Sequence, residues 1–343
     1  VGAVGCNHAD VPAEWTVELV EVLTVGDDPV TRETAFYMPA ALGFDFRNRL
    51  FVLDSGNHRV QVFDSEGRFE QSLGSYGNAP GQLASPMGMW VYPDGSLFVA
   101  DARNQRLQPF GAAGAPLDPI SLEFSPLDVV GTKDRLFVLR LPQASMILGP
   151  DKRGLVHVLD RSSGSPLDAF VEAVEARAGI LYLLHNSYGI APGPAGDLAL
   201  CDLHFSSRIR LFSAAGTLRR EIPVLYKAGA WAPLGREPGA LNDRTIETIA
   251  RTASDITWDP LRRLYWVLSG YTDRDPDGEW IIGREVYRYD ANGVYRGSAM
   301  LPFRGTALAI SPDGRVWITD IDGVVHAFVV RDPDMESLID RSP

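Results

Sequence analysis

Acidic side chains recur at fixed places in this sequence, and two of them could share a site. Asp128 and Asp255 each open an apolar run at the start of a repeated unit, and Asn186 stands near the start of another. Oxygen donors converging from separate strands are the ligands Ca²⁺ takes. A second series, Asp54, Asp101, Asp202 and Asp320, closes short apolar runs. The loops after the first three, SGNHR, ARNQR and LHFSSR, each carry an Arg three to six residues on. A strand-end Asp that caps loop N–H groups and pairs with such an Arg is a fold device, and its recurrence fits that role better than catalysis. The six histidines are His8, His58, His157, His185, His204 and His326. Zinc catalysis needs about three ligands at one point. Two of these residues fall in loops, two on third strands and only His185 near a first strand. They are not expected to converge.

The elements that would carry these residues come from an internal repeat. LFVLDSGNHRVQVFDSEG (50–67) aligns with LFVADARNQRLQPFGAAG (97–114), with nine of eighteen positions identical. Each unit is a series of short apolar strands separated by turns such as Pro93-Asp94-Gly95 and Pro312-Asp313-Gly314. Second strands are expected at 50–54, 97–101, 136–140, 198–202, 264–268 and 316–320. The expected fold is therefore all-β: a six-bladed β-propeller of four-stranded antiparallel blades. The last unit supplies only three strands, and WTVELVEVLTVG (15–26) is left over. Adding it to the sixth blade closes the ring and removes the open edge. This scheme places Ala41, Gly88, Asp128, Gly189, Asp255 and Ala307 at one level of the central channel. The stretch EAVEARAGILYLL (172–184) has ambiguous periodicity.

LDSGNHRVQVFDSEGRF (53–69) resembles an NHL repeat, with Asn57-His58-Arg59 in place of the Asn-His-Leu signature. The similarity is strong over 36–114, weaker at 186–220 and 304–330, and poor at 124–170. It implies a fold and leaves function open, because propellers host unrelated activities. The paired carboxylates also resemble the metal site of the gluconolactonase and paraoxonase propellers. That resemblance implies Ca²⁺ held by Asp128, Asn186 and Asp255, although Ala41 stands where an acidic ligand would be needed. The peptide-amidating lyase propeller, which uses channel histidines for zinc, is matched less well.

Strand direction sorts the loops onto two faces. The a–b and c–d turns are minimal. The other face receives LPQASMILGPDKRG (141–154), YKAGAWAPLGREPGALNDRTIE (226–247) and GYTDRDPDGEWIIG (270–283), all in blades three to five. Tyr226, Trp231, Tyr271 and Trp280 give these insertions the aromatic anchors typical of protein interfaces. The alternative is that the loops pack on each other as a lid.

Composition narrows the class. A net charge of −12 opposes nucleic-acid binding, which needs a basic face. No run approaches the length of a membrane span. Of the two cysteines, Cys201 sits in the apolar run LALCD and reads as a buried thiol. Ala3-Val4-Gly5-Cys6 looks like an imperfect lipobox. The expected organisation is an apolar segment at 1–14, the propeller at 15–330 and an acidic tail at 331–343. No Walker loop, GxSxG elbow, HExxH or CxxC pair is present. The expected function is a non-catalytic, periplasmic or extracellular scaffold docking on a protein partner in a membrane-associated assembly, with no resident cofactor. The alternative is a Ca²⁺-dependent lactonase or esterase, or a lyase, acting at the channel mouth.

Overall fold

The computed structural model describes residues 16–26, 35–141, 154–173, 187–204, 208–224, 253–274, 280–282 and 284–332. Six four-stranded antiparallel sheets form the blades of a propeller. Blade one is built from Pro39–Phe44, Leu50–Asp54, Arg59–Phe63 and Phe69–Leu73, its strands a to d. The a and b strands of blades two to six are, in order, Pro86–Val91 with Leu97–Asp101, Pro126–Gly131 with Arg135–Arg140, Tyr188–Pro192 with Leu198–Asp202, Ala253–Asp259 with Leu264–Ser269, and Gly305–Ile310 with Val316–Asp320. The six expected second strands lie where these b strands form, to within one residue at either end.

Each b strand is an unbroken apolar run because both of its faces are covered. In blade one, Leu50 and Val52 pack towards Trp317 and Val325 of blade six, while Phe51 and Leu53 pack towards Met89 and Val99 of blade two. The same alternation recurs around the ring, so every junction between neighbouring blades has its own hydrophobic core. A blade cannot bury its two faces alone, and stability comes from stacking against both neighbours.

Ring closure is made by the first described strand, Glu18–Val25, which pairs antiparallel with Val325–Arg331 as the outer strand of blade six. This is the closure expected from the unclaimed segment. Just before it, Thr16 and Val17 donate backbone N–H groups to Ser298 O at 3.2 and 3.1 Å, tying the closing strand to blade five as well. The propeller's last strand includes Arg331, one residue beyond the expected end. Asp332 then turns inward to a buried ion pair with Arg288 at 2.7 Å. The rest of the expected tail and the expected segment 1–14 lie outside the described residues, as does 174–186.

Strand a begins and strand b ends on one face, the upper face. The lower face consists of short turns. Gly67 at φ +80° and Gly293 at φ +85° close two of them, a conformation that only glycine adopts without strain.

Candidate functional site

The channel runs between the six a strands, and its upper half opens into a cavity of about 500 Å³. Register fixes what faces it. Ala41, Gly88, Asp128, Gly189, Asp255 and Ala307 each pair with the residue just before the end of their own b strand. They therefore occupy one level, as the repeat alignment implies. In all blades but the fourth, a bulge lies immediately before this residue. Bulges re-aim a side chain locally, and here they set the orientation of the channel level.

The two carboxylates are held differently. Asp255 Oδ1 accepts the N–H of Ile256 at 2.8 Å, and Oδ2 accepts the N–H of Leu308 at 2.7 Å, across to blade six. Asp128 Oδ1 accepts the N–H of Val129 at 2.8 Å. A Cβ added at Gly88 would come within 2.2 Å of that oxygen, so blade two makes room for the carboxyl by having no side chain there. Burial pushes the Asp128 carboxyl up to about 8, against the Val129 hydrogen bond, and the negative charge of Asp255 pushes it further in the same direction.

Most polar side chains of the lining come from blades three to five, beside apolar residues such as Leu127, Ile190, Leu203 and Ile256. Blades three to five contribute the polar groups Asp128, Ser187, His204, Ser254, Asp255 and Thr257. Blades one, two and six contribute Ala41, Leu42, Met87, Met89, Trp90 and Leu308, with the Thr306 hydroxyl and the Trp90 indole N–H as polar groups. The sequence places His204 in a loop, away from the channel, yet the residue reaches the cavity. The signal for it was its place directly after the b strand of blade four, the blade between those of the two aspartates.

Calcium is a poor fit to this donor set. It takes six to eight oxygens, and among the described residues no three His, Cys, Asp or Glu side chains converge on one point. Both Asp255 oxygens already accept backbone N–H groups. Asn186 lies outside the described residues. The described residues therefore do not assemble the calcium site that the lactonase resemblance implies.

The strand-end aspartates make a latch. Asp101, fully buried, accepts the N–H of Ala84 at 2.7 Å on Oδ1, and Asn104 Nδ2 and Arg106 Nε at 2.7 and 2.8 Å on Oδ2. Arg106 then donates to the carbonyls of Asn78, Ala79 and Gln82 at 2.8, 3.0 and 2.6 Å. Blade one repeats the plan: Asp54 holds Tyr37 N, Asn57 and Arg59, and Arg59 reaches Ala35 O. The N–H on Oδ1 comes from 17 residues upstream in both cases, not from the loop that follows. In blade six Asp320 Oδ1 caps the N–H of Val324 in the following loop at 2.8 Å, as expected, whereas in blades one and two the latch pins the connection arriving from the previous blade. Asp202 pairs with Arg208 and Arg210. In blade six a histidine replaces the Arg: His326 Nε2 lies 3.1 Å from Asp320. Blades three and five have Arg140 and Ser269 at this position, both buried.

Those two blades also carry insertions between strands b and c, at the upper face. The insertion of blade five contains a small hairpin, Tyr271–Arg274 paired with Trp280–Ile282. Tyr271 lies at its base and Trp280 at its far end, opposite Arg274. Tyr226 and Trp231, and most of the 141–154 insertion, lie outside the described residues.

Comparison with known proteins agrees with the architecture. A family described as a 6-bladed beta-propeller matches residues 44–141. The protein brain tumor of Drosophila melanogaster is 39% identical over 72 residues, which cover 21% of this chain and 7% of that protein. A solved member of the duf4221 family from Bacteroides vulgatus superposes with a TM-score of 0.62 at 11% identity, covering 92% of this chain and 99% of that one. A candidate exported protein from Bacteroides fragilis gives 0.59 at 15% identity over 95% and 98% of the two chains. A gluconolactonase from Xanthomonas campestris gives 0.52 at 16% identity over 84% and 86%. At such identities the likeness is one of fold. Among the described residues no helix is long and apolar enough to cross a membrane. The chain is a six-bladed β-propeller, and its first two blades resemble NHL repeats.

Proposed function

We propose that this propeller is a non-catalytic binding protein that docks on another protein through the upper face of blades three to five. The observation that carries this reading is the uneven distribution of latches and insertions. In blades one and two, Asp54 and Asp101 bind the incoming connection tightly to the rim. Blades three and five have Arg140 and Ser269 in place of the acid, and their sequences carry the long insertions between strands b and c. A third long segment joins blade four, whose last strand is Leu218–Pro223, to blade five, whose first is Ala253–Asp259. Long connections gathered on one side of a rigid scaffold are where binding surfaces are built.

Tyr226, Trp231, Tyr271 and Trp280 are the proposed anchors of that surface, since aromatic side chains dominate interface energetics. Placement outside the cytoplasm, in a membrane-associated assembly, belongs to the same proposal. Its supports are the lipobox-like Ala3-Val4-Gly5-Cys6 and the structural likeness to a candidate exported protein.

The test is native purification with identification of a stoichiometric partner, then measurement of its affinity for the Trp231→Ala/Trp280→Ala variant. Loss of well over tenfold in affinity, with an unchanged melting temperature, is the expected result. Normal binding by the double variant moves the interface elsewhere, and unfolding of the variant shows that the aromatics pack a lid.

A further inference from the structure

Blade six builds its latch differently from blades one and two, and a second cavity lies beside the difference. In blades one and two the latch arginine reaches the connection arriving from the previous blade: Arg59 donates to Ala35 O, and Arg106 to the carbonyls of Asn78, Ala79 and Gln82. In blade six His326 stands in the arginine's place. Its two ring nitrogens face Asp320 Oδ2 at 3.1 Å and Glu21 Oε2 of the closing strand at 2.9 Å, so neither reaches the connection Pro302-Phe303-Arg304. The loop after strand b is also tighter, since Asp54 pairs with Arg59 but the N–H of Asp320 donates to Val324 O. Three residues after the acid, where blades one and two have the latch asparagines Asn57 and Asn104, blade six has Gly323. Between this loop and the unlatched connection is a cavity of about 480 Å³, within the roughly 300–1,000 Å³ of small-molecule sites.

Three segments of the upper face line it. Arg284 comes from the start of strand c in blade five, Glu285–Asp290; Phe303 and Arg304 come from the connection; Ile321 and Asp322 come from the loop of blade six. Phe303 stacks on His326 with centroids 4.0 Å apart, which fixes its ring, and Ile321 is 49% exposed. Charges of both signs stand unpaired beside these apolar groups. The side chains of Arg304 and Asp322 are exposed and make no hydrogen bond or ion pair among the described residues, although Ile321 N–H donates to Arg304 O at 3.1 Å and so holds the two segments together. Arg284 donates to Pro302 O at 3.2 Å and has no carboxylate partner among the described residues. Asp320, the other acid of the lining, is occupied by Val324 N–H and His326.

We propose that this cavity binds a free α-amino acid with an apolar side chain, its carboxylate on Arg304 with Arg284 beside it, its ammonium on Asp322, and its side chain against Phe303 and Ile321. A guanidinium takes a carboxylate through two parallel N–H donors, and an ammonium offers its own donors to a carboxylate. A zwitterion meets both unpaired charges at once. A simple anion meets the arginines but also the repulsion of Asp320 and Asp322, and a simple cation meets Asp322 but also Arg284 and Arg304. The apolar groups add selection for a side chain, because glycine leaves Phe303 and Ile321 facing water. None of the four proposed docking anchors lines the cavity, so the two readings stand or fall separately.

The experiment is isothermal titration calorimetry on the full chain with L-phenylalanine, N-acetyl-L-phenylalanine, L-phenylalaninamide and glycine as probes. It is run at about pH 6, where amino and carboxyl termini are both ionised. Saturable binding of phenylalanine is expected, with Kd below about 1 mM. The acetylated form, the amide and glycine should each bind at least tenfold more weakly. Arg304→Gln should weaken phenylalanine at least tenfold and abolish its preference over the amide, which has no carboxylate to lose. Asp322→Asn should do the same for the preference over the acetylated form. Both side chains are exposed and without partners, so the melting temperature should not change. Absence of saturable binding overturns the proposal, and so does equal affinity for phenylalanine and either blocked form. A folded variant that keeps the full preference overturns it as well. The ligand series on the unmutated protein needs no variant, so a misfolded substitution does not protect the proposal.

Discussion

Removal of the Asp101 carboxylate tests whether the latch holds the propeller together. The side chain of Arg106 is only 8% exposed, and among the described residues its one carboxylate partner is Asp101 at 2.8 Å. In Asp101→Ala the guanidinium keeps three carbonyls but loses its counter-charge, and the N–H of Ala84 loses its acceptor. Breaking a buried ion pair from one side costs about 3–5 kcal/mol, and an orphaned buried donor adds about 1–3 kcal/mol. Relaxation and water entry recover part of this, so we expect a loss of about 4 kcal/mol, a large part of the roughly 5–15 kcal/mol of a typical domain. The control is Asp290→Ala, which removes a comparable pair with Arg296 at 2.7 Å, where the arginine is 53% exposed. Surface pairs are worth about 0–1 kcal/mol. Urea unfolding followed by tryptophan fluorescence reads both, with the slope compared to confirm that the transition is unchanged. If Asp101→Ala loses no more than Asp290→Ala, the latch contributes nothing beyond a surface ion pair and does not hold the rim.

Asp128 gives the molecule a pH signature. Its carboxyl is raised from an ordinary 3.8 to about 8, so the native state holds a proton that the unfolded chain has lost; stability is fully present below about pH 4 and is lost as pH rises through about 8, and Asp128→Asn should flatten the dependence. Each pH unit in that window contributes at most about 1.4 kcal/mol, and water in the cavity should hold the total to a few kcal/mol in a series of chemical melts. Cys201 is fully buried, and burial together with the charges of Asp202 and Asp255 pushes its thiol well above the ordinary range; it should react with a disulfide reagent only at the rate of unfolding. Deleting residues through Gly26 removes the strand paired with Val325–Arg331 and should give aggregation or a large drop in melting temperature; an unchanged monomer would refute closure by that strand.

The fold was legible because blade chemistry is local. Runs such as LFVLD and LFVAD are apolar on both alternating faces, and turns such as Asp64-Ser65-Glu66-Gly67 need a glycine at positive φ. Those two signals set the strands and their register, and register set the channel level from Ala41 to Ala307. What the sequence did not disclose was long-range. No local pattern says that Asp54 and Asp101 reach 17 residues back to Tyr37 and Ala84, because that bond depends on where the previous blade releases the chain. The equal offset in the two repeats was the available clue. Nor does sequence alone indicate that His204 lines the cavity, or that Gly88 is small because Asp128 lies against it. Both depend on how tightly neighbouring blades pack.

The two ends of the described chain meet at one blade junction, and this shapes how the ring can fail. Blade six takes its outer strand from Glu18–Val25 and its inner three from the last strands of the chain. Every other blade is continuous, so the junction between blades five and six is held with extra ties: Thr16 and Val17 on Ser298, and Asp332 on Arg288. Arg288 is nearly inaccessible and also donates to Arg296 O at 2.5 Å, close beside Gly297. The energetics resemble those of Arg106: Asp332→Ala leaves a buried guanidinium without its carboxylate partner at 2.7 Å. Its expected cost is again about 3–5 kcal/mol, but its location differs. Hydrogen exchange should show protection falling first along Glu18–Val25 and Tyr295–Met300, the strands that meet at the junction, while the strands of blades one to three keep their protection. A uniform loss across all six blades would mean that the ring opens as a whole, and that Asp332 is no more a clasp than any other buried acid.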